Sequence, residues 1–137
     1  MTIQVAGTDI IDQNRNILSA TLKNYTETVT NFGNIGASQT LDLSTASIFT
    51  GTISTAGAPS LTIQPGVSGA TSFLFFLKAS ATGVHSVSWV APVGGTLKWT
   101  GGSAPASTGI ANRTDVWSWF TPNGTTWYGN IVLFNYT

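Results

Sequence analysis

From Thr71 to Ala79 the chain reads TSFLFFLKA, and alternate residues divide into two sets. Phe73, Phe75 and Leu77 point one way, and Leu74, Phe76 and Lys78 the other. Alternation with a period of two marks a strand, and bulk on both sides places this one in the middle of a sheet. Shorter runs of the same kind recur along the chain: Glu27 to Phe32, Gln39 to Leu43, Ser47 to Ile53, Ser60 to Gln64, Val84 to Val90, Thr96 to Trp99, Thr114 to Thr121 and Thr125 to Tyr136. Gly, Pro, Asn and Ser clusters separate them, and Thr, Val, Ile and aromatic residues fill them. The pattern predicts an all-β fold, an antiparallel β-sandwich of jelly-roll type with eight to nine strands. Gly94-Gly95 and Gly101-Gly102 mark a long excursion from about Ala91 to Ala111 with one short strand inside it.

The last two runs flank Pro122-Asn123-Gly124, so they form a C-terminal hairpin. In the first, Trp117 and Trp119 share a face, with Val116 and Phe120 opposite. In the second, Trp127, Ile131 and Leu133 share one face, and Tyr128, Val132, Phe134 and Tyr136 the other. A sheet with one wet face alternates between apolar and polar residues, and this hairpin does not. Either it lies between two layers of its own domain, or its second face meets other copies of the chain. The candidate subunit-interface residues are Trp117, Trp119, Tyr128, Phe134 and Tyr136.

Residues 1–24 read differently. Ile10, Ile11, Ile17, Leu18 and Leu22 could line a helix, or two extended pieces around Asn14-Arg15-Asn16. The β-branched character of Val5, Ile10 and Ile11 favours extended chain. The expected division is an N-terminal arm over 1–24 and a β-sandwich domain over 25–137. The arm either packs back on its own domain or anchors the chain through Val5, Ile10, Ile11, Ile17 and Leu18.

Charged residues form 7% of the chain, against roughly 25% in ordinary domains. Five basic and five acidic side chains give no net charge. That removes the basic stripe a nucleic-acid partner requires, and no polybasic membrane signal is present. The start of the chain lacks the charged and apolar regions of a signal peptide, and the longest apolar run, Phe73 to Leu77, is too short to span a membrane as a helix. So low a charge suits a protein whose surface is largely covered by neighbours.

Chemistry finds little footing. His85 is the only histidine and there is no cysteine, which excludes a structural zinc site within one chain. Ser86 and Ser88 lack the strained Gly-x-Ser-x-Gly turn of a nucleophile. Asp12, Asn14 and Asn16 alternate as in a calcium loop, but Ile17 and Lys23 stand where that loop needs glycine and an acid. The five acids, Asp9, Asp12, Glu27, Asp42 and Asp115, suggest no catalytic pair. No glycine-rich phosphate loop precedes a helix. Four Asn-x-Thr triplets, at Asn24, Asn112, Asn123 and Asn135, carry little weight in so threonine-rich a chain. The reading is of a non-enzyme with no cofactor and no metal. Trp89 reads as core. Trp99, between Lys98 and a Gly-Gly loop, is the candidate glycan contact.

Three segments carry a resemblance. They are Trp89-Val-Ala-Pro92, Lys98-Trp-Thr-Gly-Gly-Ser-Ala-Pro105, and the ending Asp115-Val-Trp-Ser-Trp-Phe120 with Gly124-Thr-Thr-Trp-Tyr-Gly129. With the stretch from Tyr25 and the N-terminal GTDIIDQNRNIL, they resemble a β-rich module of virion structural proteins in tailed phages, most like those of marine and cyanobacterial phages. The resemblance implies a virion structural protein without catalytic residues, of tail-fibre type. Fibre proteins are usually long, with a shaft and a tail adaptor, and 137 residues leave room for neither. The expectation is a homotrimer on the exterior of the particle, made in the host cytoplasm without a signal peptide. It would be a capsid decoration (cement) protein or a short tail-fibre or appendage piece. Its partners would be itself and the major capsid or tail proteins. The alternative is a receptor-binding module that reads host surface glycan through Trp99.

Overall fold

The computed structural model describes residues 3–5, 8–11, 17, 23–54, 58–66, 68–82 and 86–137. The chain is all-β. Its strands are β1 (Ile3–Val5), β2 (Thr8–Ile11), β3 (Val29–Ile35), β4 (Gln39–Asp42), β5 (Ile48–Ile53), β6 (Ser60–Gln64), β7 (Thr71–Ala79), β8 (Ser88–Val90), β9 (Thr96–Trp99), β10 (Thr114–Thr121) and β11 (Thr126–Tyr136). A 3-10 turn, Thr100–Gly102, follows β9.

The expected antiparallel jelly-roll sandwich is not what the strands build. A six-stranded sheet runs β3-β5-β7-β10-β11-β9, and a three-stranded sheet runs β4-β6-β8. β3, β5 and β7 are mutually parallel, as are β4, β6 and β8. Only β7-β10 and β10-β11 pair antiparallel in the large sheet, and β9 joins β11 in parallel. The chain therefore alternates between layers: β3 then β4, β5 then β6, β7 then β8. These three coils stack like the turns of a two-sided solenoid.

The physical reason lies in the connections. Parallel neighbours need a crossover, and here the strand in the opposite layer is that crossover. Successive coils place like on like: Ile35 beside Ile53, Phe49 beside Phe75, Leu41 beside Ile63. The corners touch as well. A Cβ on Gly66 would fall 2.0 Å from the Ser44 backbone nitrogen, so only glycine lets one corner lie on the next.

The inner faces of the two sheets share one core, holding Ile35, Leu41, Phe49, Ile53, Leu61, Ile63, Phe73, Phe75, Leu77, Trp117, Trp119 and Trp127. Phe32 stacks on Phe49, and Phe73 on Trp119. β10 and β11 extend the large sheet past the third coil, where Trp89 and Trp99 cover their inner face. The buried Trp117 and Trp119 and the half-buried Trp89 and Trp99 pack ring against ring, with centroids 4.7 to 6.0 Å apart. The buried indole nitrogens of Trp89, Trp117 and Trp119 meet no hydrogen-bond acceptor.

β1 and β2 form a separate antiparallel pair. The expected break at Asn14-Arg15-Asn16 lies outside the described residues.

Candidate functional site

The features that stand out are the outer face and free edge of the C-terminal hairpin. Its turn is locally over-determined. The buried Thr121 hydroxyl accepts the N–H groups of Asn123 (3.3 Å) and Gly124 (2.9 Å), and Asn123 Oδ1 accepts those of Thr125 (3.0 Å) and Thr126 (2.9 Å). Gly124 supplies the positive φ, 77°, that the turn requires. Trp127 Nε1 donates to the Gly124 carbonyl at 3.2 Å, tying the first core tryptophan of β11 to the turn.

From this fixed end, the pairing assigns each face. Trp117 lies opposite Ile131 and Trp119 opposite Gly129, both facing the core. Phe120 lies opposite Tyr128 and Ser118 opposite Asn130, both facing out. Then β11 gains two extra residues relative to β10: Val116 pairs with Leu133, and Thr114 with Tyr136. Each extra residue is a bulge that twists the strand and re-aims its side chains. Leu133 and Tyr136 thereby join the outer face, and Val132 and Phe134 fall in the bulged segments.

A buried carboxylate holds this irregular end. Asp115, 1% exposed, accepts the Asn135 N–H at Oδ1 (2.9 Å) and the Thr108 N–H at Oδ2 (2.6 Å). Asn135 sits at φ 64°. One side chain thus pins both the bulge and the loop returning from β9.

Past Asn130, β11 loses cover. β9 flanks it only from Thr126 to Gly129, so among the described residues no strand lies beside 130–136 on the side away from β10. Tyr128, Val132, Leu133, Phe134 and Tyr136 are each 42 to 56% exposed, and Phe120 48%. These six side chains leave aromatic and aliphatic surface in water at the end of the hairpin.

The sequence candidates separate accordingly. Tyr128, Phe134 and Tyr136 are on the surface. Trp117 and Trp119 are not: at 1% and 0% exposure they are sealed by their own chain and can touch no neighbour. Their partners in the core, Phe73, Phe75 and Trp89, already occupy both sides of the indole rings. Sequence reasoning missed Leu133 as a surface residue, because strict alternation put it with Trp127; the bulge at Val132 reverses it. Trp99 is half-buried and meets Trp119 at 4.7 Å and Trp117 at 6.0 Å, both edge to face, so much of its ring serves the core. Of the candidate anchor residues, Val5 lies on β1, Ile10 and Ile11 on β2, and Ile17 is 53% exposed; Leu18 lies outside the described residues, as does His85.

Among the described residues no three of His, Cys, Asp or Glu come together. Asp42 sits in an exposed turn, where the Ser44 hydroxyl (2.7 Å) and then the Ser44 N–H (2.9 Å) hold its carboxyl below the ordinary range. Glu27 accepts a hydrogen bond from the Ser47 hydroxyl. The outer face of the large sheet carries a shallow depression lined by Asn31, Thr50, Phe76, Lys78 and Thr114, too open to enclose a small molecule. Among the described residues, no helix is long and apolar enough to cross a membrane.

No family model matches the chain, and no curated protein or solved structure matches it either.

Proposed function

We propose that the chain is a non-enzymatic structural subunit that associates with copies of itself on the exterior of a phage particle. The observation that carries the self-associating part is the last third of the hairpin: an edge strand that keeps aromatic and aliphatic side chains half in water on both of its sides. The assignment to a phage particle is carried by the Lys98–Pro105 loop and the Asp115–Gly129 ending, which resemble virion modules. A low charge content fits a surface covered by neighbours. The position is head decoration or a short tail-fibre or appendage piece, contacting capsid or tail proteins through the arm at 1–24.

Quantitative mass spectrometry of purified particles tests this reading. Hundreds of copies per particle place the chain on the head, and a few to tens place it on a fibre or appendage. Its absence from particles refutes the virion role.

A further inference from the structure

We propose that Asn123 is a deamidation site that the folded hairpin holds shut and that opening of the turn exposes. The inference stands apart from the self-association reading.

The chemistry is intramolecular. The main-chain nitrogen after an asparagine gives up its proton to solvent base and attacks the side-chain Cγ. The N–Cγ bond forms, the Cγ–Nδ2 bond breaks, and Nδ2 takes up a proton and leaves as ammonia. Water then opens the five-membered imide at either carbonyl, giving aspartate or isoaspartate. A side chain on the attacking residue hinders the approach, and glycine has none. Asn123 is the one asparagine followed by glycine; every other is followed by Arg, Ile, Tyr or Phe. The turn itself imposes that glycine, because Gly124 takes φ 77°. Asn123 is exposed, so base and water reach it.

The fold opposes the step at both reacting atoms. The Gly124 N–H, which has to lose its proton, is donated to the buried Thr121 hydroxyl at 2.9 Å. Asn123 Oδ1 accepts the Thr125 N–H at 3.0 Å and the Thr126 N–H at 2.9 Å. Closure rotates the carboxamide so that its face meets the Gly124 nitrogen, and that rotation gives up both bonds. The Gly124 carbonyl is fixed as well, by Nε1 of the buried Trp127 at 3.2 Å. Each such hydrogen bond is worth a factor of about five in the opening equilibrium, so releasing three slows closure about a hundredfold relative to the unfolded chain.

The isoaspartate product does not fit back. Its main chain runs through the former side chain and gains one methylene, at a turn whose register sets Phe120 opposite Tyr128. The modification therefore marks chains whose hairpin has opened and hinders the hairpin from re-forming.

The test incubates the full-length chain at neutral pH, folded in buffer and unfolded in guanidinium chloride, and follows each asparagine by peptide mass spectrometry. In the unfolded chain Asn123 should convert to aspartate and isoaspartate faster than any other asparagine. In the folded chain it should convert about a hundredfold more slowly. Thr121→Val removes the acceptor of the Gly124 N–H and keeps the buried shape, so it should raise the folded rate about fivefold with unchanged far-UV circular dichroism. Thr121→Ser keeps the oxygen and should stay slow. The folded and unfolded rates of the parent chain decide the matter even where Thr121→Val does not fold. Isoaspartate chains should unfold at lower denaturant than the Asn123→Asp variant, which keeps the acceptor oxygen. Equal rates in the two states, or a faster rate in the folded one because the two N–H donors assist attack on Cγ, overturn the protection by the turn. An unfolded chain in which Asn123 reacts no faster than the other asparagines overturns the site.

Discussion

Gly129→Ala is the substitution whose sign the structure reverses. Glycine inside a strand costs about 0.5–1 kcal/mol relative to alanine, so from sequence alone the change should stabilise. Gly129, however, lies opposite Trp119 on one side and Trp99 on the other. A Cβ there would sit 2.6 Å from Cη2 and Cζ3 of Trp119 and 2.8 Å from its Cε3. The indole cannot withdraw, since Trp89 and Trp99 stand against it with centroids at 4.9 and 4.7 Å and Phe73 stacks at 6.3 Å. Overpacking a filled core costs about 1–3 kcal/mol. Net of the strand gain, Gly129→Ala should destabilise by about 1–2 kcal/mol. At this chain length that lowers Tm by roughly 4–8 °C. Gly51→Ala is the matched control. Its Cβ would meet the terminal Cδ1 of Ile35 at 2.5 Å and Cγ1 at 3.1 Å, a smaller obstacle than a clamped indole but still inside the core, so it should destabilise by less than Gly129→Ala, about 1 kcal/mol or under. Urea denaturation followed by tryptophan fluorescence reads both. If Gly129→Ala is as stable as the parent chain, the tryptophan cluster is not the rigid body described here.

Asp115→Ala should cost about 3 kcal/mol, because it strands the N–H groups of Thr108 and Asn135, and Asp115→Asn less, because one acceptor oxygen remains; chemical denaturation measures both. Trp99→Ala should cost about 2–3 kcal/mol through lost packing on Trp117 and Trp119, and an unchanged unfolding midpoint on the same assay would restore Trp99 as a free sugar platform. The Asp42 carboxyl should titrate below 3.8 by NMR, and Ser44→Ala should return it toward that value. Since its folded pKa is depressed, its contribution to stability is complete above the unfolded value and is lost as pH falls through the folded one.

Strand positions were legible because side chains alternate with a period of two whichever way the neighbour runs. Thr71–Ala79 and Thr114–Thr121 stand where the alternation places them. Direction was not legible for the same reason: Phe49 and Phe75 alternate identically in parallel and antiparallel sheets. Links as short as that between β3 and β4 suggest hairpins, yet here they carry the chain across the core to the other layer. At the candidate surface, the double-sided greasiness of the hairpin was visible in its residues, but its division between core and solvent was not. Trp117 and Trp119 fill space that the three-stranded layer is too narrow to cover. Leu133 faces out because of the bulge at Val132, an interruption of the register that no local pattern encodes.

The place of β7 between β5 and β10 bears on how the protein emerges from a ribosome. When Ala79 has been translated, β5 is already available on one flank, while β10, the partner on the other, lies beyond the whole excursion at 80–113. Until then the nascent chain shows the open main-chain edge of β7, beside a core that still lacks Trp117, Trp119 and Trp127, the sort of sticky intermediate that chaperones attend. The one neighbouring pair of the large sheet able to zip up by itself, β10 with β11 around its tight turn, is made after the three coils. A stalled or clipped chain lacking that hairpin should therefore clump or be degraded rather than persist as a smaller folded form.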